Sequence, residues 1–390
     1  MENIITKIDK LTVDIENLIK ACDKQLLNRE IISRSFDPSS SDPRKIIIDC
    51  CSDQIITGFI GDEKYKYIFP PIIEYLNKDK KILRLNPIGL GDIVTDWRSM
   101  EQLWRHTFDK LRVLPEDNIV ILTEPPNNSK ENREKMTKIM FDTFNVPALC
   151  IINKAYLTLL ASGKKTGVVV HSDNNNTTYI VPIYEGTVIN HSVERISFAG
   201  KDLTQYMMKM LNNKGYNFTS NSNYSIADDI KNKLCYVAYD FEDEIKYYDY
   251  YYLDKKYELP DGNIININIE SFRCPEVMFR PSLLAYDSIG IHQLTYNSIM
   301  KCNINIQNEL FGNIVLSGKT MNLPGFNKRM HKELTILAPR SRINIITQSD
   351  DNFAEWKATS NVLSSLELKH YISKAEYVES GPSIVHRKCW

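Results

Sequence analysis

Asp49, Cys50, Cys51, Ser52 and Asp53 follow three consecutive isoleucines, and Ile55 and Ile56 resume the apolar run toward Gly58. The pattern predicts a buried strand that ends in an acid, a tight polar turn and a second strand. Turns of this kind hold nucleotide phosphates in many proteins, because backbone N–H groups gather there. That chemistry favours glycines, which let the backbone approach the phosphate, and a lysine to neutralise it. Here there is no glycine before Gly58 and no basic residue before Lys64. A phosphate held near Asp53, where a lysine is wanted, meets repulsion of about 4 kcal/mol per charge pair at about 4 Å and intermediate dielectric. The turn has the place of a phosphate site without its chemistry.

The elements that would carry this turn are legible on both sides. Asp96 can cap a helix whose apolar face is Trp97, Met100, Leu103, Trp104, Phe108 and Leu111. Asn128 with Glu131 suggests a capping box for the next helix, with Met136, Ile139, Met140 and Phe144 facing inward. "GVVVHS" (167–172) and "YIVPIYEGTVI" (179–189) then repeat the strand–turn–strand opening. Two α/β halves that each begin with a hairpin imply a duplicated fold around a central cleft. The stretch from 340 returns to helices and closes in "GPSIVHRKCW".

Composition narrows the class. A length of 390 residues gives room for more than one core, and 43% hydrophobic with 25% charged residues describes a globular protein. The net charge of −1, from 48 basic and 49 acidic residues, makes no electrostatic case for nucleic acid or an anionic membrane. No apolar run has the length of a membrane span. Glu2, Lys7, Asp9 and Lys10 interrupt the apolar residues of the N-terminus, unlike the core of a signal peptide. Eight cysteines without a CxxC spacing read as reduced thiols of a cytoplasmic protein. In residues 1–32, Ile4, Ile8, Leu11, Ile15, Leu18 and Cys22 form a heptad-like seam, so an amphipathic helix over 4–22 is expected to lie on the protein's own body or on a partner. "SRSFDPSSSDPRK" (33–45) reads as a linker.

Longer segments carry a resemblance. "NREKMTKIMFDTFNVPA" (132–148), "YELPDGNI" (257–264), "GIHQLTYNSIMKC" (290–302) and "GPSIVHRKC" (381–389) resemble actin nearly letter for letter. "PIYEG" (182–186), "AGKDLTQYMMKML" (199–211) and "KLCYVAYDFEDE" (233–244) agree, in order along the chain from about 46 to 390. The resemblance implies the actin-like fold, two duplicated α/β domains, each with a smaller subdomain, around a nucleotide cleft. Residues 46–165 with 340–390 would form the first domain and 166–339 the second. It also implies a family that binds ATP with a divalent cation and assembles into filaments.

The matched segments are scaffold, whereas the family's chemistry is altered. Its first phosphate loop reads Asp-Asn-Gly-Ser-Gly-Leu-Val-Lys; those positions hold Asp49, Cys50, Cys51, Ser52, Asp53, Gln54, Ile55 and Ile56. Asp49, near which the family places its metal, and Ser52 match; both glycines and the lysine do not. The second loop, Asp-Ser-Gly-Asp-Gly, becomes His171 to Asn176. Lys154 stands where the family has the glutamine that positions the attacking water, and Tyr179 where it has the supporting histidine. On the base-binding side Gly200, Lys231 and Gly318 match, but Lys319 replaces a second glycine, Leu323 a tyrosine, Asn232 a glutamate and Asn352 a lysine.

The segment from Phe69 to Trp97 is too short for the family's usual small subdomain and its tip loop, which inserts into the next protomer of a filament. "KYYDYYYLDKK" (246–256) replaces a serine-rich loop with a tyrosine-dense surface or a cover for the shortened subdomain. The expectation is a divergent, non-catalytic actin-like cytoskeletal protein without a cofactor, acting on actin or actin-binding proteins. The alternative is a filament-forming, ATP-binding actin that tolerates its altered cleft with ATP or ADP and Mg²⁺. A scaffold subunit of a larger complex is a third reading. In the first case Lys154 should pair with Asp49, replacing the cation between protein and phosphate.

Overall fold

Ile46, Ile47 and Ile48 are buried at the centre of a six-stranded sheet, where both faces are covered and a continuous apolar run is stable. The computed structural model describes residues 43–76, 82–172, 177–251, 255–348, 352–365 and 368–389. The expected helix over 4–22, most of the 33–45 linker and the Asp173–Asn176 part of the second loop lie outside them.

The first sheet begins with β1 (Arg44–Cys50), β2 (Ile55–Phe59) and β3 (Tyr67–Phe69), an antiparallel meander in which Cys50 pairs with Ile55 and Ile55 with Phe69. A separate two-stranded hairpin follows, β4 (Ile73–Leu76) with β5 (Ile82–Leu85). It is all the sheet structure described between Phe69 and Trp97 apart from one isolated bridge, Ile88 to Val94. Beyond the first long helix, β6 (Asn118–Glu124) runs parallel to β1 and β7 (Ala148–Asn153) parallel to β6.

The second sheet repeats this plan. A meander of β8 (Gly167–Ser172), β9 (Thr178–Tyr184) and β10 (Thr187–Val188) is joined on β9 by β11 (Glu194–Ile196). Glu185 and Gly186 have φ of 47° and 82°, as a two-residue hairpin turn requires between β9 and β10. After the small hairpin of β12 (Lys255–Glu258) and β13 (Ile264–Ile267), β14 (Ile314–Ser317) lies parallel to β8 and β15 (Ile345–Thr347) parallel to β14. β16 (Ile372–Ser373) returns to the first sheet beside β7. Because β15 is bound to β14, the chain leaves the second sheet after Thr347, later than the expected boundary at 340.

The helix Trp97–Leu111 is capped as expected: Asp96 accepts from the Arg98 N–H at 3.1 Å and from the Ser99 hydroxyl at 2.5 Å. Its residues Met100, Leu103, Trp104, Phe108 and Leu111 are buried, and Trp97 is half-buried. The next cap is one residue later than expected. Ser129 accepts from the Asn132 N–H at 3.1 Å, while Asn128 turns away to donate to the buried Glu124 carboxylate at 2.9 Å. Met136, Ile139, Met140 and Phe144 are buried as their spacing requires. The tyrosine-dense surface needs correction at Tyr248, which is 7% exposed in a small core with Ala238, Phe241 and Phe272. Tyr247 on the same helix, Phe241–Tyr251, remains exposed.

Each sheet carries its own large core, and they meet at the short helix Lys154–Ala161. Val169, Val181, Ile183 and Val315 of the second sheet belong to the first sheet's apolar cluster, together with Ala155, Leu157 and Leu159 of that helix. The junction places the first residue of the helix, Lys154, between the halves.

Candidate functional site

A cleft opens between the two sheets, lined by Asp49, Asp53, Asp92, Lys154, Tyr179 and Gly318 among others. Its floor is the carboxyl end of parallel strands, the usual place for a ligand in an α/β sheet. There Asp49, the penultimate residue of β1, accepts from the Thr123 hydroxyl of β6 at 2.5 Å. The turn beyond it closes on itself, with the Cys51 N–H donating to the Gln54 carbonyl at 2.9 Å.

Lys154 reaches this floor from the opposite direction. Asn153 caps its helix by accepting from the Ala155 N–H at 2.9 Å, which fixes the direction in which Lys154 leaves the backbone. Its Nζ lies 3.1 Å from Asp49 Oδ1 and 3.5 Å from Asp92 Oδ2. It also donates to the Cys50 carbonyl at 2.6 Å and to Cys51 Sγ at 2.9 Å. Burial by itself would push this ammonium's pKa down. The Asp49 carboxylate, with Asp92 beside it, reverses that and holds it well above the ordinary lysine value, so it is charged at neutral pH. Burial raises the Cys50 thiol to about 12 and Cys51 well above 9.0, despite the nearby ammonium. Both thiols are therefore protonated at neutral pH.

Tyr179 projects from β9 in the second half and is 4% exposed. Its hydroxyl donates to the Gly91 carbonyl at 2.9 Å, and burial pushes its pKa up to about 12. A phenol held protonated in this way is a hydrogen-bond donor and a poor base. Across the cleft, Gly318 has φ 90°, a conformation that favours glycine, and follows β14 before a short turn at Lys319–Asn322. Next to it the Ser317 hydroxyl and His171 Nδ1 are 3.2 Å apart.

The remaining expected residues form a second group bound to one another. Lys231 is 1% exposed, and its ammonium donates to the Gly200 carbonyl at 3.1 Å, the Thr204 hydroxyl at 2.8 Å and Asp228 at 2.6 Å. Asn232 donates to the other oxygen of Asp228 at 3.1 Å. Leu323 is buried in the second core. The structure thus brings Asp49, Ser52, Lys154 and Tyr179 together through their contacts, faces them with Gly318, and keeps Gly200 and Lys231 bound to one another.

Sequence alone does not point to Asp92, which accepts from the Ser52 N–H at 2.7 Å. It lies in the shortened segment, where no matched pattern gives a register; its only signal is an acid in the glycine-rich "GLGD". Thr123 likewise becomes visible only once β1 and β6 are paired. For phosphate chemistry these contacts matter, since the N–H groups of Cys51 and Ser52 are already donated and an ammonium sits on Asp49. Among the described residues no group of three or more His, Cys, Asp and Glu is arranged to hold a metal ion, and no helix is long and apolar enough to cross a membrane. The family model for actin matches residues 41–390, and the chain belongs to the actin family.

Proposed function

We propose that this chain is a divergent, non-catalytic actin-family protein that works through its surfaces, binding actin or an actin-like partner without a nucleotide in its cleft. The observation that carries this reading is the position of Lys154. Its ammonium pairs with Asp49 and lies beside Asp92 at the floor of the cleft, where a phosphate-bound cation would otherwise be needed. A family hydrolase relies on positioning and electrostatics at this point, and the chain replaces both with internal pairing. Tyr179, occupied with Gly91, has no base to offer a water.

The repeated strand plan supports two duplicated domains, one built from 46–165 with the C-terminal stretch and the other from 166 to the end of β15. The β4–β5 hairpin stands for the first domain's small subdomain, reduced and without the filament tip loop. On the second domain, the segment matching "GIHQLTYNSIMKC" is intact, and Ile289, Met300 and Ile304 beside or within it are exposed. An intact face joined to a missing tip suits binding to an actin end or side better than self-assembly. A cytoplasmic, cytoskeleton-associated location follows from that role.

Thermal unfolding with and without Mg-ATP tests the empty cleft. A ligand at 100 times its Kd adds about 2.7 kcal/mol, so an unchanged midpoint at millimolar Mg-ATP is the expected result. A rise that EDTA abolishes would overturn it. Sedimentation with preformed actin filaments tests the partner: the chain is expected to pellet with them and to stay in the supernatant alone. Long filaments of the chain by itself in Mg-ATP would overturn the assembly part.

A further inference from the structure

The turn Leu90–Asp92 touches both sides of the cleft at once. Asp92, 13% exposed in its side chain, turns its carboxylate into the first loop, where Oδ1 accepts from the Ser52 N–H at 2.7 Å and Oδ2 faces Lys154 at 3.5 Å. One residue earlier, the Gly91 carbonyl accepts from the Tyr179 hydroxyl of the second sheet at 2.9 Å. The backbone is bent to allow this. Gly91 and Asp92 have φ of 71° and 60°, the latter uncommon for a residue with a side chain. A Cβ on Gly91 would lie 2.2 Å from the Tyr179 oxygen and 3.4 Å from the Arg195 guanidinium carbon. Leu90, at the tip, is 60% exposed and takes no part in these contacts.

An anionic ligand between two lobes does two things: it places negative charge against a loop N–H on one side and is gripped from the other. The turn does both with its own atoms. We propose that Leu90–Asp92 is a tethered surrogate ligand, with the Asp92 carboxylate filling the first loop and Gly91 bolted to Tyr179, so that the two halves are held together with nothing bound. This rests on the reading that the cleft carries no nucleotide, and explains how such a cleft keeps its shape. Strain at Asp92 is consistent with it, because an unfavourable φ persists only where surrounding contacts hold it.

Hydrogen exchange read by mass spectrometry on the ligand-free full chain tests the proposal. The Ser52 amide is expected to be protected in the wild type, and exchange at a free-loop rate would overturn the proposal without any variant. Tyr179→Phe and Asp92→Gly should each speed exchange about tenfold in the peptides spanning Ser52 and residues 88–94, while Leu90→Ala leaves it unchanged. A purely local role for the turn would also free the Ser52 amide in Asp92→Gly, because the acceptor is removed, but would leave the Ser52 peptide unchanged in Tyr179→Phe, whose contact is with Gly91. Unchanged or slower exchange in folded Asp92→Gly or Tyr179→Phe therefore overturns the surrogate. Mg-ATP binding to the wild type is read separately by the thermal shift: it would overturn the empty cleft, whereas failure of the exchange predictions alone would leave the empty cleft standing.

Discussion

Lys154→Ala is expected to lower the unfolding free energy by about 3 kcal/mol, measured by urea denaturation. Removing one partner of a buried ion pair typically costs about 3–5 kcal/mol, because the other charge is left without compensation. Here two carboxylates and the Cys50 carbonyl lose their donor together. The side chains of Lys154 and Asp49 are 19% and 29% exposed, so water screens part of the loss and the lower end of the range applies. The pH dependence has a definite sign. The ammonium's pKa is raised on folding, so its contribution is complete below the unfolded value of 10.5 and is lost only as pH rises beyond it. The gap between wild type and variant should therefore be flat from about pH 6 to 9. Adding Asp49→Asn and Asp92→Asn to Lys154→Ala should recover part of the stability, since no uncompensated charge remains. A single-variant loss under about 0.5 kcal/mol, the range of an ordinary surface change, would mean that the cluster is solvated and does not define the cleft. Lys154→Gln, which restores the family's residue, is expected to give no ATP turnover, because the Ser52 N–H still belongs to Asp92.

Much of this cluster is legible in the sequence, for a physical reason that also marks the limit. Asp49 and Lys154 lie in segments whose strand and helix registers are set by apolar periodicity and by close likeness to actin, so their side chains could be assigned a direction. Both reach the same floor. Asp92 comes from a stretch that has lost the family's length, and neither period nor likeness places it. Its strained φ and its contact with Ser52, 40 positions away, belong to the folded chain alone. The same holds for Tyr179: its identity announced a replaced histidine, but its acceptor is a backbone carbonyl, and a carbonyl leaves no mark in a sequence. The cap at Ser129 in place of Asn128 shows a smaller version of this limit, since either residue type can cap and the buried Glu124 decides between them. Likewise Tyr248 was indistinguishable in type from its exposed neighbour Tyr247, and only contact with Phe272 makes it core.

Lys231 matches the family in type, and Lys231→Met tests whether its work here is structural. A lysine that matches a nucleotide contact would be nearly silent when removed from a protein with an empty cleft. This one is 1% exposed and serves three acceptors, so its loss should cost about 3–5 kcal/mol with or without nucleotide. Methionine keeps most of the volume, which confines the effect to the lost charge and hydrogen bonds. The acid side supplies an independent check through Asp228. Burial pushes its carboxyl up, but the Lys231 ammonium and hydrogen bonds from Lys231, Thr204 and Asn232 outweigh this and leave it below its usual 3.8. A depressed carboxyl contributes stability above its unfolded pKa and loses it as pH falls through the folded one. The gap between wild type and Lys231→Met should accordingly be full near neutrality and narrow below about pH 4, opposite in direction to the alkaline loss expected for Lys154. A gap that stays constant into acid would mean that Asp228 is not what Lys231 stabilises. A small gap at every pH would return Lys231 to the role its likeness suggests, a contact waiting for a ligand.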